Sequence, residues 1–234
     1  MKDIMGKTLE ALMHLFFANL CAGCDQPLSR GEKMVCLRCL FELPETGFHL
    51  LEANPVEQLF TGRIPVSAAT ACYFFHKNVS LQHIIHQFKY HNRKEAAVFM
   101  GALMGNMLKQ SVQYAYIDGI IPVPLHSKKQ MLRGYNQSEL LSEGIAGVLQ
   151  APVIKNGLVR MTATESQTKK SRLDRWQNVK DAFQIVKPAA LKGKHLLLVD
   201  DVITTGATIE ACAEALLHIP GVKVSIAALA KADY

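Results

Sequence analysis

The sequence has no apolar run long enough to cross a bilayer. Leu9–Leu20 (LEALMHLFFANL) is short and interrupted by Glu10 and His14, whereas a spanning helix needs roughly 20 apolar residues. It also makes a poor signal-peptide core, because Lys2 is offset by Asp3 and the run leads straight into a cysteine cluster. An amphipathic helix over residues 1–20, capping the next module, is the expectation. Without an export signal, the six cysteines are expected to be reduced thiols in the cytoplasm. Internal repeats and low-complexity tracts are absent, which excludes a solenoid or a disordered chain. No charge of one sign dominates: 26 Lys and Arg face 20 Asp and Glu. The resulting +6 suits anionic ligands such as phosphates or nucleic acid without requiring them. At 49% apolar and 20% charged, the 234 residues read as an ordinary globular protein with one good-sized core, or one core and a small module.

Four cysteines are tightly patterned. Cys21, Cys24, Cys36 and Cys39 form CxxC, eleven intervening residues, then CxxC. Two such knuckles can supply four thiolates in a tetrahedron around Zn²⁺, a closed and therefore structural site. Four unrelated buried thiols or two disulfides are the alternatives. Arg30, Lys33 and Arg38 nearby would let a ribbon touch nucleic acid, though such ribbons more often staple a segment that has no core of its own. Cys72 and Cys212 read as inert core residues.

Beyond the quartet, residues 46–68 carry Gly47, Pro55, Gly62 and Pro65 and read as a linker or irregular region. Strands are expected at Ala69–Phe75, Gly119–Val123, Asn156–Arg160, Phe183–Val186, His195–Val199 and Val222–Leu229, the last closing the sheet. Helices are expected at Ser80–Tyr90, Lys94–Gln110, Tyr135–Leu149 and Gly206–Leu217. From about residue 115 strands alternate with helices, the pattern of a doubly wound, mostly parallel α/β sheet. The expected division is 1–60 for the N-terminal helix and ribbon and 61–234 for the α/β domain.

Leu196–Thr208 (LLLVDDVITTGAT) carries the chemistry. An apolar run without alternation suits a parallel strand buried on both faces. It delivers Asp200 and Asp201 to the strand's carboxyl end, where open α/β sheets bind their ligands. Gly206 lets the backbone approach an oxyanion closely. Thr204, Thr205 and Thr208 add hydroxyls, and the N–H groups of 204–208, Ala207 included, face a phosphate from a helix N-terminus. The acids can accept from a ribose diol and reach Mg²⁺ through water. The bland alternative, an N-capped helix after a buried strand, does not account for two adjacent carboxylates.

This segment resembles the phosphoribosyl-pyrophosphate (PRPP) motif of type I phosphoribosyltransferases. The resemblance implies a pyrophosphate loop at Val123, Pro124 and Leu125, with Lys128, Lys129 and Arg133 as nearby cations. It also implies a lid at Thr162–Asn178, whose Lys169 and Arg172 would join Asp200 and Asp201 as catalytic residues. The whole chain resembles the ComF (competence protein F, GntX-like) family. That match rests on the Cys₄ ribbon, FKYHNR at Phe88–Arg93, PVP with RGYNQSELL at Arg133–Leu141, and SRLDRWQNVKDAF at Ser171–Phe183. Phe88 stands where that family usually has leucine, and Asn92 near where it has glycine. The resemblance implies a role in natural transformation, with incoming single-stranded DNA and a competence helicase as partners and no membrane span. Two readings stay open. One is a Mg²⁺-dependent phosphoribosyltransferase, a glycosyltransferase of unnamed acceptor, with a hood built from the ribbon and residues 60–93. The other is a non-catalytic zinc-ribbon protein that binds single-stranded DNA and keeps its PRPP site as a sensor or relic. For the second, Phe88, Tyr90, Tyr135 and Trp176 are candidate stacking surfaces.

Overall fold

The apolar run Leu196–Val199 is fully buried, and its alternate residues enter two different cores. Leu197 and Val199 belong to one, Leu196 and Leu198 to the other. A strand covered on both faces needs helices or loops on each side, and that arrangement organises the molecule. The structure is a computed structural model and describes residues 19–160 and 183–232. The helix expected before residue 19 and the segment Thr162–Asn178 lie outside the described residues. Helix α1 (Leu37–Phe41) lies within the cysteine-rich segment. Then follow β1 (Ala68–Phe74), α2 (Val79–Tyr90), α3 (Lys94–Leu108), β2 (Gly119–Pro122), α4 (Ser127–Arg133), α5 (Gln137–Leu149), β3 (Leu158–Arg160), β4 (Phe183–Ile185), β5 (His195–Ile203), α6 (Ala207–Leu217) and β6 (Lys223–Lys231).

Four strands form one parallel sheet in the order β1-β6-β5-β2. The last strand was expected to close this sheet, but it lies inside it. It pairs with β1 on one side and β5 on the other, and its residues Val224–Ala230 are all buried. The edges belong to β1 and β2. A second departure concerns β3 and β4, which leave the parallel sheet and pair antiparallel as a separate ribbon. With three residues each and one face half-open, they cannot be fully buried sheet strands. The helix α4 was not anticipated, because its exposed Met131 and Leu132 give no amphipathic pattern.

Helices α2, α3 and α5 cover one face of the sheet. Helices α3 and α5 cross at glycines: a Cβ on Gly144 would run into the Val98 carbonyl, and one on Gly101 into the Leu141 carbonyl. The start of α5 is set by Asn136. Its Oδ1 accepts from the Ser138 N–H at 3.1 Å, and its Nδ2 donates to the Val123 carbonyl at 2.9 Å. The cap thus ties the helix to the turn after β2.

The opposite face is covered by α6 and by residues 48–64. This segment, expected as a linker or irregular stretch, has little regular structure, yet Phe48, Val56 and Phe60 are buried against the sheet. Asn54 holds it there: Nδ2 donates to the carbonyls of Phe48, Leu51 and Ala69, while Oδ1 accepts from Val56 and Glu57. The cysteine-rich segment joins the other core, with Cys21, Ala22, Val35 and Cys39 packed in the same cluster as Leu81, Ile84, Ile85 and Phe88 of α2. His83 of α2 also lies 3.3 Å from the Gly23 carbonyl. Among the described residues, no helix is long and apolar enough to cross a membrane.

Candidate functional site

Asp200 and Asp201 lie near the carboxyl end of β5, beside Ala228 of β6. They are held differently. Asp200 accepts from the Ser138 hydroxyl at 2.9 Å and from the Asp201 N–H at 2.8 Å. Burial and then the neighbouring Asp201 charge push its carboxyl up to about 7, against those two donors. Asp201 instead meets the Lys89 ammonium at 2.7 Å, and both of these side chains are less than a fifth exposed (16% and 18%). Lys89 comes from the last turn of α2 and Ser138 from the first turn of α5. Both lie in segments quoted above only for their resemblance, and no sequence pattern linked them to the acids. The contacts depend on helices far away in the chain being folded onto the end of β5.

The turn after β5 behaves as its residue types require. Thr204, Thr205, Ala207 and Thr208 are exposed, and Gly206 sits at φ 77° as the residue before α6. The first N–H groups of a helix have no intrahelical partner, so they are available to an anion. Together with Asp200 and Val202, this turn lines a cavity of about 60 Å³. The only acidic residue in the first turn of α6, Glu210, is offset by a two-pronged contact with Arg63 (Nε to Oε1, 2.9 Å, and Nη2 to Oε2). Arg63 and the Phe60 ring behind Gly206 both come from the 48–64 segment.

The candidate pyrophosphate turn starts beside the acids, because Pro122 pairs with Val199 and the Val123 N–H donates to the Val199 carbonyl at 2.9 Å. Pro124 and Leu125 line a separate cavity of about 150 Å³ with Asn136, Glu139 and Arg160. Val123 is therefore adjacent to the acid pair, while Pro124 and Leu125 open toward the β3 side.

The four cysteines converge, with their Sγ atoms within 4.8 Å of one another. The Cys24 and Cys36 sulfurs are 3.8 Å apart. A tetrahedral Zn²⁺ with bonds of about 2.3 Å has sulfur–sulfur edges of about 3.8 Å, so the donor set fits. All four are free thiols, which removes the disulfide alternative. Cys21 accepts from the N–H groups of Cys36 and Gly23 at 3.2 and 3.3 Å. Burial raises this thiol, and the backbone donors outweigh it, bringing it down to about 7. The cluster can bind a metal.

Comparison with known proteins agrees with this geometry. The profile of the phosphoribosyl transferase domain matches residues 146–233. DNA utilization protein YhgH of Shigella flexneri is 30% identical over 202 residues, 85% of this chain and 84% of that protein. Competence protein F of Haemophilus influenzae is 29% identical over 224 residues, covering 94% and 93%. The chain belongs to the ComF family. YhgH of Salmonella typhi is 35% identical to this ComF chain over 138 residues, 58% of it and 60% of that relative. The ComF chain has a type I phosphoribosyltransferase-like fold with a parallel sheet.

Other expected site residues of this ComF protein are differently placed. Lys169, Arg172 and Trp176, with the side chain of Lys128, lie outside the described residues. Lys129 is exposed. Arg133 is occupied: it donates to Gln137 Oε1 at 2.8 Å and to the Tyr90 hydroxyl at 3.3 Å, and its guanidinium lies 5.1 Å from the Tyr90 ring centre. Of the aromatic stacking candidates, Phe88 is fully buried, and Tyr135 is half-buried with its hydroxyl donating to the Phe88 carbonyl. Tyr90 is exposed.

Proposed function

We propose that this ComF chain binds PRPP with Mg²⁺ and acts as a phosphoribosyltransferase in natural transformation, on or with incoming single-stranded DNA in the cytoplasm. One observation carries the reading: two carboxylates at the end of β5 run directly into a glycine-hinged turn whose N–H groups head a helix. A ligand with a ribose diol and a 5′-phosphate matches both parts. Thr204–Thr208 hold the 5′-phosphate, and Asp200 and Asp201 accept from the ribose hydroxyls. The Val123–Leu125 turn receives the pyrophosphate. Mg²⁺ bound with PRPP supplies positive charge to the departing diphosphate. Lys169 and Arg172 supply positive charge to it as the C1–O bond breaks toward an oxocarbenium-like ribose and the acceptor's nucleophile bonds to C1. Cys21, Cys24, Cys36 and Cys39 would hold Zn²⁺ as a structural ion. The relatives named Competence protein F and DNA utilization protein support the setting, and a competence helicase is the natural protein partner there. The ribbon and its helix, residues 1–60, serve as the module that joins this machinery to the catalytic domain, 61–234.

Two titrations on the full chain test the reading: PRPP with Mg²⁺, and single-stranded DNA, each against wild type and the double substitution Asp200→Asn, Asp201→Asn. PRPP should bind wild type and not the variant; no binding to wild type ends the phosphoribosyl reading. DNA affinity should fall as salt rises, and a flat salt profile excludes backbone contacts. Release of pyrophosphate when DNA or a nucleobase is supplied separates a transferase from a PRPP sensor.

A further inference from the structure

Lys89 is not used by the proposed chemistry, and its ammonium lies against one of the two acids. It is not needed to anchor α2, because Leu81, Ile84, Ile85 and Phe88 already bury that helix. Instead it directs an ammonium 2.7 Å from Asp201 in a setting where both groups are largely shielded from water. Withdrawing two charges from water is costly, and packing alone gives no reason to place them here. The surroundings show what the contact does. Asp200, next to Asp201, already has the Ser138 hydroxyl and a backbone N–H on it. Among the described residues, only the cysteine quartet gathers three or more side chains able to hold a metal ion. Among the described residues the acid pair has no third His, Cys, Asp or Glu beside it, and a hard cation such as Mg²⁺ needs about six oxygens around it.

We propose that Lys89 is the built-in counter-ion of the acid pair: it keeps free divalent cations off Asp200 and Asp201 and holds Asp201 in place, so that Mg²⁺ enters only together with PRPP, whose oxygens complete its shell. The proposal rests on the PRPP reading for the identity of the metal carrier, but the exclusion of free cation stands on the Lys89–Asp201 contact alone. Lys89 is thus a positioning residue. Removing its charge takes the ammonium away from Asp201, and the attraction of the acid pair for a free divalent ion rises.

The test uses the full, zinc-loaded chain and Mn²⁺ alone, with free Mn²⁺ followed by its electron paramagnetic resonance signal. Wild type and Lys89→Arg should leave Mn²⁺ free. Lys89→Met and Lys89→Gln should each take up one Mn²⁺ per chain, at least about tenfold more tightly than wild type. Adding Asp201→Asn to either should abolish the gain. Far-ultraviolet circular dichroism checks that the variants are folded. Because the expected result is a gain of binding, an unfolded variant cannot imitate it. The proposal is overturned if wild type binds free Mn²⁺ as tightly as the Met and Gln variants, or if neither folded variant gains affinity. A parallel titration of wild type with PRPP and Mn²⁺ keeps the two readings apart: its failure ends the PRPP reading, and the Mn²⁺-only arms still report on Lys89.

Discussion

The Phe60 ring lies so close behind Gly206 that a Cβ on the glycine would stand 3.1 Å from its Cε1 and 3.2 Å from its Cζ. An irregular segment preceding the sheet therefore fixes the shape of the phosphate turn. Gly206 also sits at φ 77°, where an L-residue costs roughly 1–2 kcal/mol. Gly206→Ala should meet both penalties and weaken PRPP binding by about tenfold or more, at about 1.4 kcal/mol per tenfold. Calorimetric titration gives the number. Combining Gly206→Ala with Phe60→Leu should recover part of the loss, because only the steric portion depends on the ring. If the two changes simply add, Phe60 does not shape the turn.

How far the sequence foretells this site can be judged from Asp200 and Lys89. Asp200, Asp201 and the turn to Thr208 are legible because strand, acids and phosphate cradle are contiguous, so local chemistry states their arrangement. The cysteine quartet is legible for the same reason: two short knuckles determine their own geometry. Lys89 and Ser138 are not, since nothing local to FKYHNR or RGYNQSELL says which strand end they will meet. Strand order is likewise a property of crossovers rather than of hydrophobic period. For that reason hydrophobic period alone says neither that β6 lies between β1 and β5 nor that the short β3 and β4 stand apart from the main sheet. Phe60 and Asn54 were hidden by the prolines and glycines around them, which mark irregular backbone and say nothing about burial.

The Asp200 carboxyl gives a pH signature. Its pKa in the folded chain is raised to about 7 from an ordinary 3.8. Between those values the folded state keeps a proton that the unfolded chain releases, so stability falls as pH rises through the window and levels off above about 7. Asp200→Asn removes the titrating group. The variant should be more stable than wild type at and above neutrality, by a few degrees in Tm, with the advantage vanishing near pH 4. It should also weaken PRPP binding, because a neutral amide oxygen accepts from the ribose hydroxyls less strongly than a carboxylate. Thermal melts from acid to mildly alkaline pH check this, and parallel curves for the two proteins would rule out a raised Asp200.

Metal loss should be felt at the acid pair. The ribbon and α2 share one core cluster through Cys39, Val35, Ile84 and Phe88, and α2 ends at Lys89 and Tyr90. A strong chelator, or Cys39→Ser, should lower Tm and weaken PRPP binding together, because a ribbon without its ion cannot keep its side of that cluster packed. Re-adding Zn²⁺ should restore both in the chelated protein. PRPP affinity that is unchanged after complete metal removal would show that the ribbon and the acid pair are uncoupled.

The crossing of α3 and α5 offers a stability test with a control on the same helix. A methyl at Gly144 would meet the Val98 carbonyl and the Ala102 nitrogen, both backbone atoms that cannot rotate away. Gly144→Ala should therefore separate the helices and cost about 1–3 kcal/mol. Gly147, one turn later, is exposed and has nothing within 4 Å of the position a Cβ would take. There alanine restricts the unfolded chain and favours helix, so Gly147→Ala should stabilise by about 0.5–1 kcal/mol. Chemical denaturation of the two variants reads both signs at once. Because Ser138 sits on α5, Gly144→Ala should also disturb its 2.9 Å hydrogen bond to Asp200 and reduce PRPP affinity, while Gly147→Ala leaves affinity alone. Equal effects of the two alanines on stability would mean that α3 and α5 do not approach as closely as their glycines allow.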